Sequence, residues 1–481
     1  MYTTIVRVCR TWFTHSTPLI WDTVEFHDAI RMLSPLDDDG TFQQPLNSQS
    51  WDRFFLYSKH VCFLKCFAIK YTTIEQMIHS QPSMHLFTSK LKSLRWRGKG
   101  EDIEGLFPFL TSALKTLDLL LLVEQERTAD VLFKTIALRS PFLNAFQMNI
   151  SSSVENYTTI SSALCELMPC LSQLISVILP VRFMTPELLR IVSQHPNVGT
   201  LKIFKQKIQH LAPYHQKTFK RKITSEENPN DLSPFHALKT LHIFEEKNLL
   251  LSQVFELRVP LSKLVNLVFS SEAEPLQMIA LMELVHILCP SLQEIKIDNF
   301  KNKPGCFPWQ AVLELLKSPY LRVLKVHRKI EMTLDNITTL ATSRPFWTVI
   351  DFPVMEALSY QALIPFAQHC PKLRLLGLRL KEDKKLPAPG TYETGGRLPL
   401  LLTLNVGRSK ITFPVQVGKF LSSICGTAFS IKTSNRNKKY FSSWKTVEEI
   451  VRLTNTTDQD EYYKEIPISE YFDSEREEDS Q

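Results

Sequence analysis

Side chains able to do chemistry are thinly spread along this chain of 481 residues. Its nine cysteines are Cys9, Cys62, Cys66, Cys165, Cys170, Cys289, Cys306, Cys370 and Cys425. Cys62 and Cys66 stand four apart, but no second pair accompanies them, so the four-ligand set of a structural zinc site is not assembled. Most of the cysteines fall at apolar places in the sequence pattern, where a thiol packs as a small hydrophobe. An odd number with no disulfide framework suits a reducing compartment, so the expected location is intracellular, in cytoplasm or nucleus. His195 and His369 sit beside prolines at expected helix ends, where capping or packing accounts for them. Gly98-Lys99-Gly100 and Gly395-Gly396-Arg397 are lone glycine clusters that read as turns. The sequence has no H-E-x-x-H, no P-loop, no dinucleotide fingerprint and no G-x-S-x-G. The expectation is a protein that is not an enzyme and holds no metal or cofactor.

What remains is charge placed at one phase of a repeating pattern. The pattern is apolar, two free, apolar, one free, apolar. It runs from Leu64/Phe67/Ile69 through Leu91/Leu94/Trp96, Leu114/Leu117/Leu119, Leu143/Phe146/Met148 and Leu171/Leu174/Ser176. Val198/Leu201/Ile203, Leu238/Leu241/Ile243, Leu264/Leu267/Phe269, Leu292/Ile295/Ile297 and Leu321/Leu324/Val326 follow. Trp347/Ile350/Phe352, Leu373/Leu376/Leu378 and Leu401/Leu404/Val406 close the series. Steps between first positions lie between 23 and 29 residues, with a single step of 40. A period of this size is the signature of leucine-rich repeats. The expected fold is α/β: a solenoid of horseshoe form, with a parallel concave sheet and convex helices.

Amphipathic helices are expected before the strands. Leu281/Leu284/Val285/Leu288, Leu188/Ile191/Val192/His195, Leu164/Leu167/Met168/Leu171 and Leu363/Phe366/Ala367/Cys370 each make one helical face. Thr185-Pro186 supplies an N-cap and a first-turn proline. Pro196, Pro290, Pro319 and Pro371 stop the helices, because proline cannot continue one.

In a strand, residues alternate between faces, so the free places point away from the core. Those places hold Lys70, Arg95, Arg97, Asp118, Lys202, His242, Glu294, Lys296, Asp298, Lys325, His327, Asp351 and Arg379. Positive residues outnumber negative ones. Arg95, Arg97, Lys202, His242, Lys296, Lys325, His327 and Arg379 are therefore the expected target-binding residues. Their expected ligand is an acidic or phosphorylated protein segment, since Arg grips phosphate and carboxylate with paired hydrogen bonds. No nucleic-acid or membrane partner is expected.

The pattern sets expected boundaries. Residues 28–60 connect to the repeats and include a first-repeat helix with Trp51, Phe54, Phe55 and Tyr57. Repeats cover 61–410, with an insertion at 205–234. A C-terminal cap spans 411–454, and an acidic tail, expected to be disordered, spans 455–481. The net charge of +7 includes that tail, so the repeats alone are more basic. The longest apolar run, Leu119 to Val123, is too short to cross a bilayer. Arg7 and Arg10 interrupt the first apolar residues, so no signal peptide is expected.

Residues 1–27 complete the picture. Ile5, Val8, Cys9 and Trp12 share one helical face, and Ser16-Thr17-Pro18 is expected to cap a second short turn carrying Leu19, Ile20 and Trp21. The run Val8-Cys9-Arg10-Thr11-Trp12 followed by Pro18-Leu19-Ile20-Trp21 resembles the C-terminal half of an F-box. Together with the repeats, the chain resembles the F-box/leucine-rich-repeat proteins of fungal type. Met1 falls inside the motif, so the first half of the box is expected to be missing. The resemblance implies a non-catalytic, substrate-recognising subunit of a cullin-type SCF ubiquitin ligase. Val8, Cys9, Trp12, Pro18, Leu19 and Trp21 would meet a Skp-type adaptor, which links to the cullin, and the repeats would hold the target. The other reading is a repeat scaffold that binds a partner without engaging a ligase.

Overall fold

Alternating apolar residues bury one face of a strand, and a single repeat has too little surface to shield that face alone. Stacking solves the problem, and the computed structural model shows it. The structure describes residues 10–37, 40–67, 70–80, 90–122, 127–150, 157–204, 234–244, 254, 261–271, 274–299, 306–381, 396–426, 429–434 and 438–456. The chain divides into two compact units. The first holds Met1–Glu245 with Leu249–Leu264, and the second Glu246–Asn248 with Val265–Gln481.

In the first unit, eight strands run in sequence order: β1 (Thr23–Glu25), β2 (Phe63–Phe67), β3 (Ser93–Lys99), β4 (Thr116–Leu122), β5 (Ala145–Ile150), β6 (Ser176–Pro180), β7 (Thr200–Phe204) and β8 (Thr240–Phe244). Every pairing is parallel, and the register aligns Leu64, Leu94, Leu117, Phe146, Val177, Leu201 and Leu241 in one buried row.

The second unit repeats the plan with β9 (Asn266–Ser271), β10 (Glu294–Asn299), β12 (Val323–Val326), β14 (Val349–Phe352), β16 (Leu375–Leu378), β18 (Thr403–Gly407) and β19 (Ser430–Thr433). Two short pairs flank it, β11 (Cys306–Phe307) with β13 (Lys329–Ile330) and β15 (Leu358–Ser359) with β17 (Leu380–Lys381). Its buried row is Leu267, Ile295, Leu324, Ile350, Leu376, Leu404 and Ile431. Each such side chain contributes about 1.5–3 kcal/mol by leaving water.

The helices follow the expected chemistry. Thr185 caps Pro186–Gln194 by accepting from the Leu188 amide at 3.2 Å. Leu164, Leu167, Met168 and Leu171 are buried together, as are Leu363, Phe366, Ala367 and Cys370. In Pro275–Leu288 the buried stripe is Met278, Leu281, Met282, Val285 and Leu288, so Leu284 lies at its margin. In Pro186–Gln194, Leu189 is buried and Ile191 half-buried. His195 packs at a helix end, its Nε2 3.0 Å from the Leu171 carbonyl, and burial lowers its pKa.

Several expectations are corrected. Two repeats are framed three residues off in the sequence pattern, the first late and the second early. The register pairs Leu64 with Leu94, so the first frame is Val61/Leu64/Cys66, and Phe67 is 38% exposed. Likewise Val177 pairs with Phe146, giving Leu174/Val177/Leu179. Spacing alone admits both frames, because Leu64 and Leu174 fit two of the three apolar places. Strands of the first unit start at Thr23 and those of the second reach Thr433, beyond the span of 61–410 read from the pattern. Instead of a small helix followed by a turn capped by Ser16-Thr17-Pro18, Arg10–Ile20 is one helix with Pro18 inside it. The insertion at 205–234 lies outside the described residues up to 233, and so do most of the 383–399 loop and the tail beyond 456.

The last strand is covered by helix Lys438–Thr456, which buries Trp444, Val447 and Val451. Trp444 donates to the Ser409 carbonyl at 3.1 Å. In β19 the Ser430 amide donates to the Leu402 carbonyl just before β18, so the next amide, that of Ile431, points outward. That outward amide donates to a Glu448 carboxylate oxygen at 3.3 Å, and Lys445 holds the same oxygen at 3.1 Å. Helix Pro414–Ile424 packs closely on this covering helix at Gly418, where a Cβ would meet the Ile450 side chain at 2.7 Å. No described helix is long and apolar enough to cross a membrane.

Candidate functional site

Side chains that alternate with the buried rows line the opposite face of each sheet. In the first unit the row between the buried leucines reads Glu25, Lys65, Arg95, Asp118, Gln147, Ile178, Lys202 and His242. One step along the strands stand Phe67, Arg97, Leu120, Asn149, Pro180, Phe204 and, on β8, Phe244. Arg95 donates to Asp118 at 2.7 Å. Arg97 and Lys202 form no ion pair among the described residues, and Arg97 is exposed. Lys65 and Arg95 both lie 6.0 Å from the Phe63 ring centre, at the outer range of a cation–π contact. At the other end of this face, the rings of His242 and Phe244 meet edge to face at 6.3 Å. Cations and aromatic rings thus group at the two ends of this surface, around Lys65, Arg95 and Arg97 and around Lys202 and His242, with Asp118, Gln147 and Ile178 between them.

The second unit uses the same strand positions differently. Lys296 pairs with Asp298 at 2.9 Å, and Lys325 pairs with Glu294 at 3.3 Å. His327 reaches Asp298 with Nδ1 at 2.8 Å and Asp351 with Nε2 at 3.3 Å. Both ring nitrogens donate, which requires the imidazolium form. The hydrogen bonds to Asp298 and Asp351 outweigh burial and push its pKa up to about 9. Burial alone would raise the Asp298 carboxyl, but hydrogen bonds from His327 and Lys296 bring it below its ordinary value. The other oxygen of Asp351 accepts from Asn405 Nδ2 at 3.0 Å, across the intervening strand β16. Residue 377 on that strand is glycine, and a Cβ there would lie 1.8 Å from the Asp351 oxygen. The expected binding residues Lys296, Lys325 and His327 are therefore engaged with carboxylates of their own sheet. Arg379 lies exposed between β16 and β17.

Lys70 is not on the strand face. It precedes helix Tyr71–Ser80, and Lys65 occupies the wall position. The three-residue frame slip hid Lys65 and Phe63. Reading outward from Val61/Leu64/Cys66 recovers both. Of the F-box resemblance, Val8 and Cys9 lie outside the described residues, and Trp12 falls within helix Arg10–Ile20. Pro18 is half-buried in the last turn of that helix. Trp21 stacks on Tyr57 at 4.9 Å, whereas Leu19 is 81% exposed.

No protein-family model matches the chain, and no curated protein matches it. Solved structures with a similar fold include the complex of Rad7 and Elc1 in yeast, 14% identical with a TM-score of 0.37, covering 81% of this chain and 95% of that one. Another is the leucine-rich repeat-containing protein LegL7 from Legionella pneumophila, 8% identical with a TM-score of 0.31, covering 65% of this chain and 81% of that one.

Proposed function

We propose that this chain is a non-catalytic protein-binding scaffold that holds an acidic or phosphorylated target segment on the strand face of its first unit. One observation carries the proposal. Among the described residues Arg97 and Lys202 have no carboxylate partner, while Lys296, Lys325 and His327 of the second unit are neutralised in place. Lys65, Arg95, Phe63 and Phe67 surround Arg97 on β2 and β3, a group that takes carboxylate or phosphate beside an apolar side chain, and Lys202 stands four strands further along the same face. Exposed charges are screened over about 8 Å at physiological ionic strength, so binding falls steeply with salt. The test is fluorescence anisotropy of a labelled phosphoserine- and glutamate-rich peptide across a salt series. The triple variant K65E/R97E/K202E is expected to lose binding, and K296E/K325E to keep it. Equal affinity in both variants, or no salt dependence, overturns the proposal.

A finer reading follows from the F-box/leucine-rich-repeat resemblance. In it the scaffold is the target-holding subunit of a cullin-type ubiquitin ligase, and helix Arg10–Ile20 docks a Skp-type adaptor. The exposure of Leu19 favours it, since an apolar side chain 81% open to water is available to a partner. Trp21 is already committed to Tyr57, so the adaptor interface lacks one of its expected anchors. Calorimetry with purified Skp-type adaptor decides the matter. Binding that Leu19→Glu abolishes supports the ligase role. No binding leaves a scaffold that works without a ligase.

A further inference from the structure

The second unit carries a different unassigned surface, at the turns that lead into its strands. Four successive turns share one design, an exposed proline, an exposed residue and then a buried anchor. They are Pro319-Tyr320-Leu321, Pro345-Phe346-Trp347, Pro371-Lys372-Leu373 and Pro399-Leu400-Leu401. The anchors Leu321, Trp347, Leu373 and Leu401 are at most 2% exposed. Each turn is therefore held from below by its anchor and stiffened by proline. The residues between project into solvent, with Tyr320 65%, Phe346 60% and Leu400 47% exposed. The Lys372 ammonium sits 5.0 Å from the Phe346 ring centre.

A second row lies directly beside the first. Arg322, Thr348, Arg374 and Leu402 are joined by backbone hydrogen bonds of 2.8–2.9 Å from each amide to the preceding residue's carbonyl. Arg322 and Arg374 are exposed and form no ion pair among the described residues, and Leu402 is 50% exposed. Neither row contains a carboxylate. Neighbouring strands stand about 4.8 Å apart, so four of them present a rigid ridge about 15 Å long.

We propose that this ridge is a preformed docking site for a partner-protein segment that combines apolar side chains with Asp or Glu. Tyr320, Phe346 and Leu400 supply the apolar contact, and Arg322, Lys372 and Arg374 select acidic flanks. Two features choose this occupant. Exposed aromatic and leucine side chains on an ordered edge seek apolar partners, and immobilising them costs little because the turns are already fixed. The charges are all of one sign, so two copies of the ridge facing each other would oppose cation to cation. The site is independent of the first unit's strand face.

The test is selection of a phage-displayed library of random 12-residue peptides on the full chain. Enriched peptides are then synthesised and measured by anisotropy. Peptides rich in both acidic and apolar residues are expected. They should bind the variants Y320S/F346S/L400S and R322E/R374E at least about tenfold more weakly, as for loss of a central hot spot. They should bind K65E/R97E/K202E unchanged. The ridge substitutions are all at exposed positions, and circular dichroism checks that every variant folds. The proposal is overturned by a failure to enrich peptides, by peptides without acidic residues, or by equal binding to the ridge variants. It also falls if a 12-nucleotide single-stranded RNA binds the ridge more tightly than the peptides. Sedimentation showing a dimer that Y320S/F346S/L400S dissociates assigns the ridge to self-association and likewise overturns it.

Discussion

At His327 two carboxylates compete for one ring, and the imidazolium satisfies both. Its pKa is raised from 6.5 to about 9, so the protonated ring favours the folded state. That contribution is complete below the unfolded value near 6.5, declines as pH rises through about 9, and is absent above it. By linkage it is at most about 3 kcal/mol. Urea unfolding of wild type and His327→Gln across pH 6 to 10 is expected to show a stability gap that is widest at pH 6 and closes by pH 10. A gap that does not change with pH contradicts the assignment. Gly377 belongs to the same construction, since only a residue without Cβ leaves room for the Asp351 carboxylate. Gly377→Ala is expected to lower the His327 pKa by a unit or so in an NMR titration and to destabilise the fold by about 1–3 kcal/mol. An unmoved pKa shows that Asp351 finds another path to the ring. The sequence revealed Lys296, Lys325, His327 and Asp351 as residues of one face. It did not reveal that they neutralise one another, because a diagonal pair such as Lys325 with Glu294 exists only once the strand register is set.

Elements were legible wherever apolar spacing left one frame. Leu292/Ile295/Ile297 and Leu321/Leu324/Val326 lie in the strands and buried rows that the pattern assigned. Frames slipped where an extra apolar residue three places away gave a second match, as with Phe67 after Leu64 and Leu171 before Leu174. β1 is only three residues long and lies next to the F-box-like run, so too little periodicity marks it. Helix Pro414–Ile424 shows packing overruling propensity. In an isolated helix, alanine is better than glycine by about 1 kcal/mol. At position 418 the added methyl meets the Ile450 Cγ2 at 2.7 Å and Cβ at 2.9 Å, on a neighbouring helix. Gly418→Ala is therefore expected to destabilise the protein by about 1 kcal/mol, with overpacking outweighing propensity. In an Ile450→Ala background the same change should turn stabilising. Denaturant midpoints of the four proteins make the double-mutant cycle, and additive effects would dismiss the contact.

For the whole molecule, the repeat plan makes each strand depend on its immediate neighbours, and it divides labour between the units. One carries Arg97 and Lys202 on its strand face without an ion pair among the described residues, and the other ties Lys296, Lys325 and His327 into a network while offering an apolar and basic ridge at its turns. Neither arrangement was legible as a whole, because the repeat spacing is the same in both units and only the free positions differ. A stack of parallel strands has two ends, and an end is where another chain can add on. At β19 the outward Ile431 amide is already occupied by Glu448, a side chain from the protein's own covering helix. The carboxylate stands where the carbonyl of an incoming strand would arrive, and its charge resists burial under a second sheet. Glu448 is thus a chain terminator in the polymer sense, the group that stops growth at one repeat too few for a fibre. Glu448→Val leaves the buried core intact but uncaps the amide and replaces the charge with a strand-favouring side chain. Light scattering of that variant at rising concentration is expected to show progressive self-association, suppressed in wild type. A variant that stays as monodisperse as wild type shows that helix Lys438–Thr456 guards the edge by bulk alone.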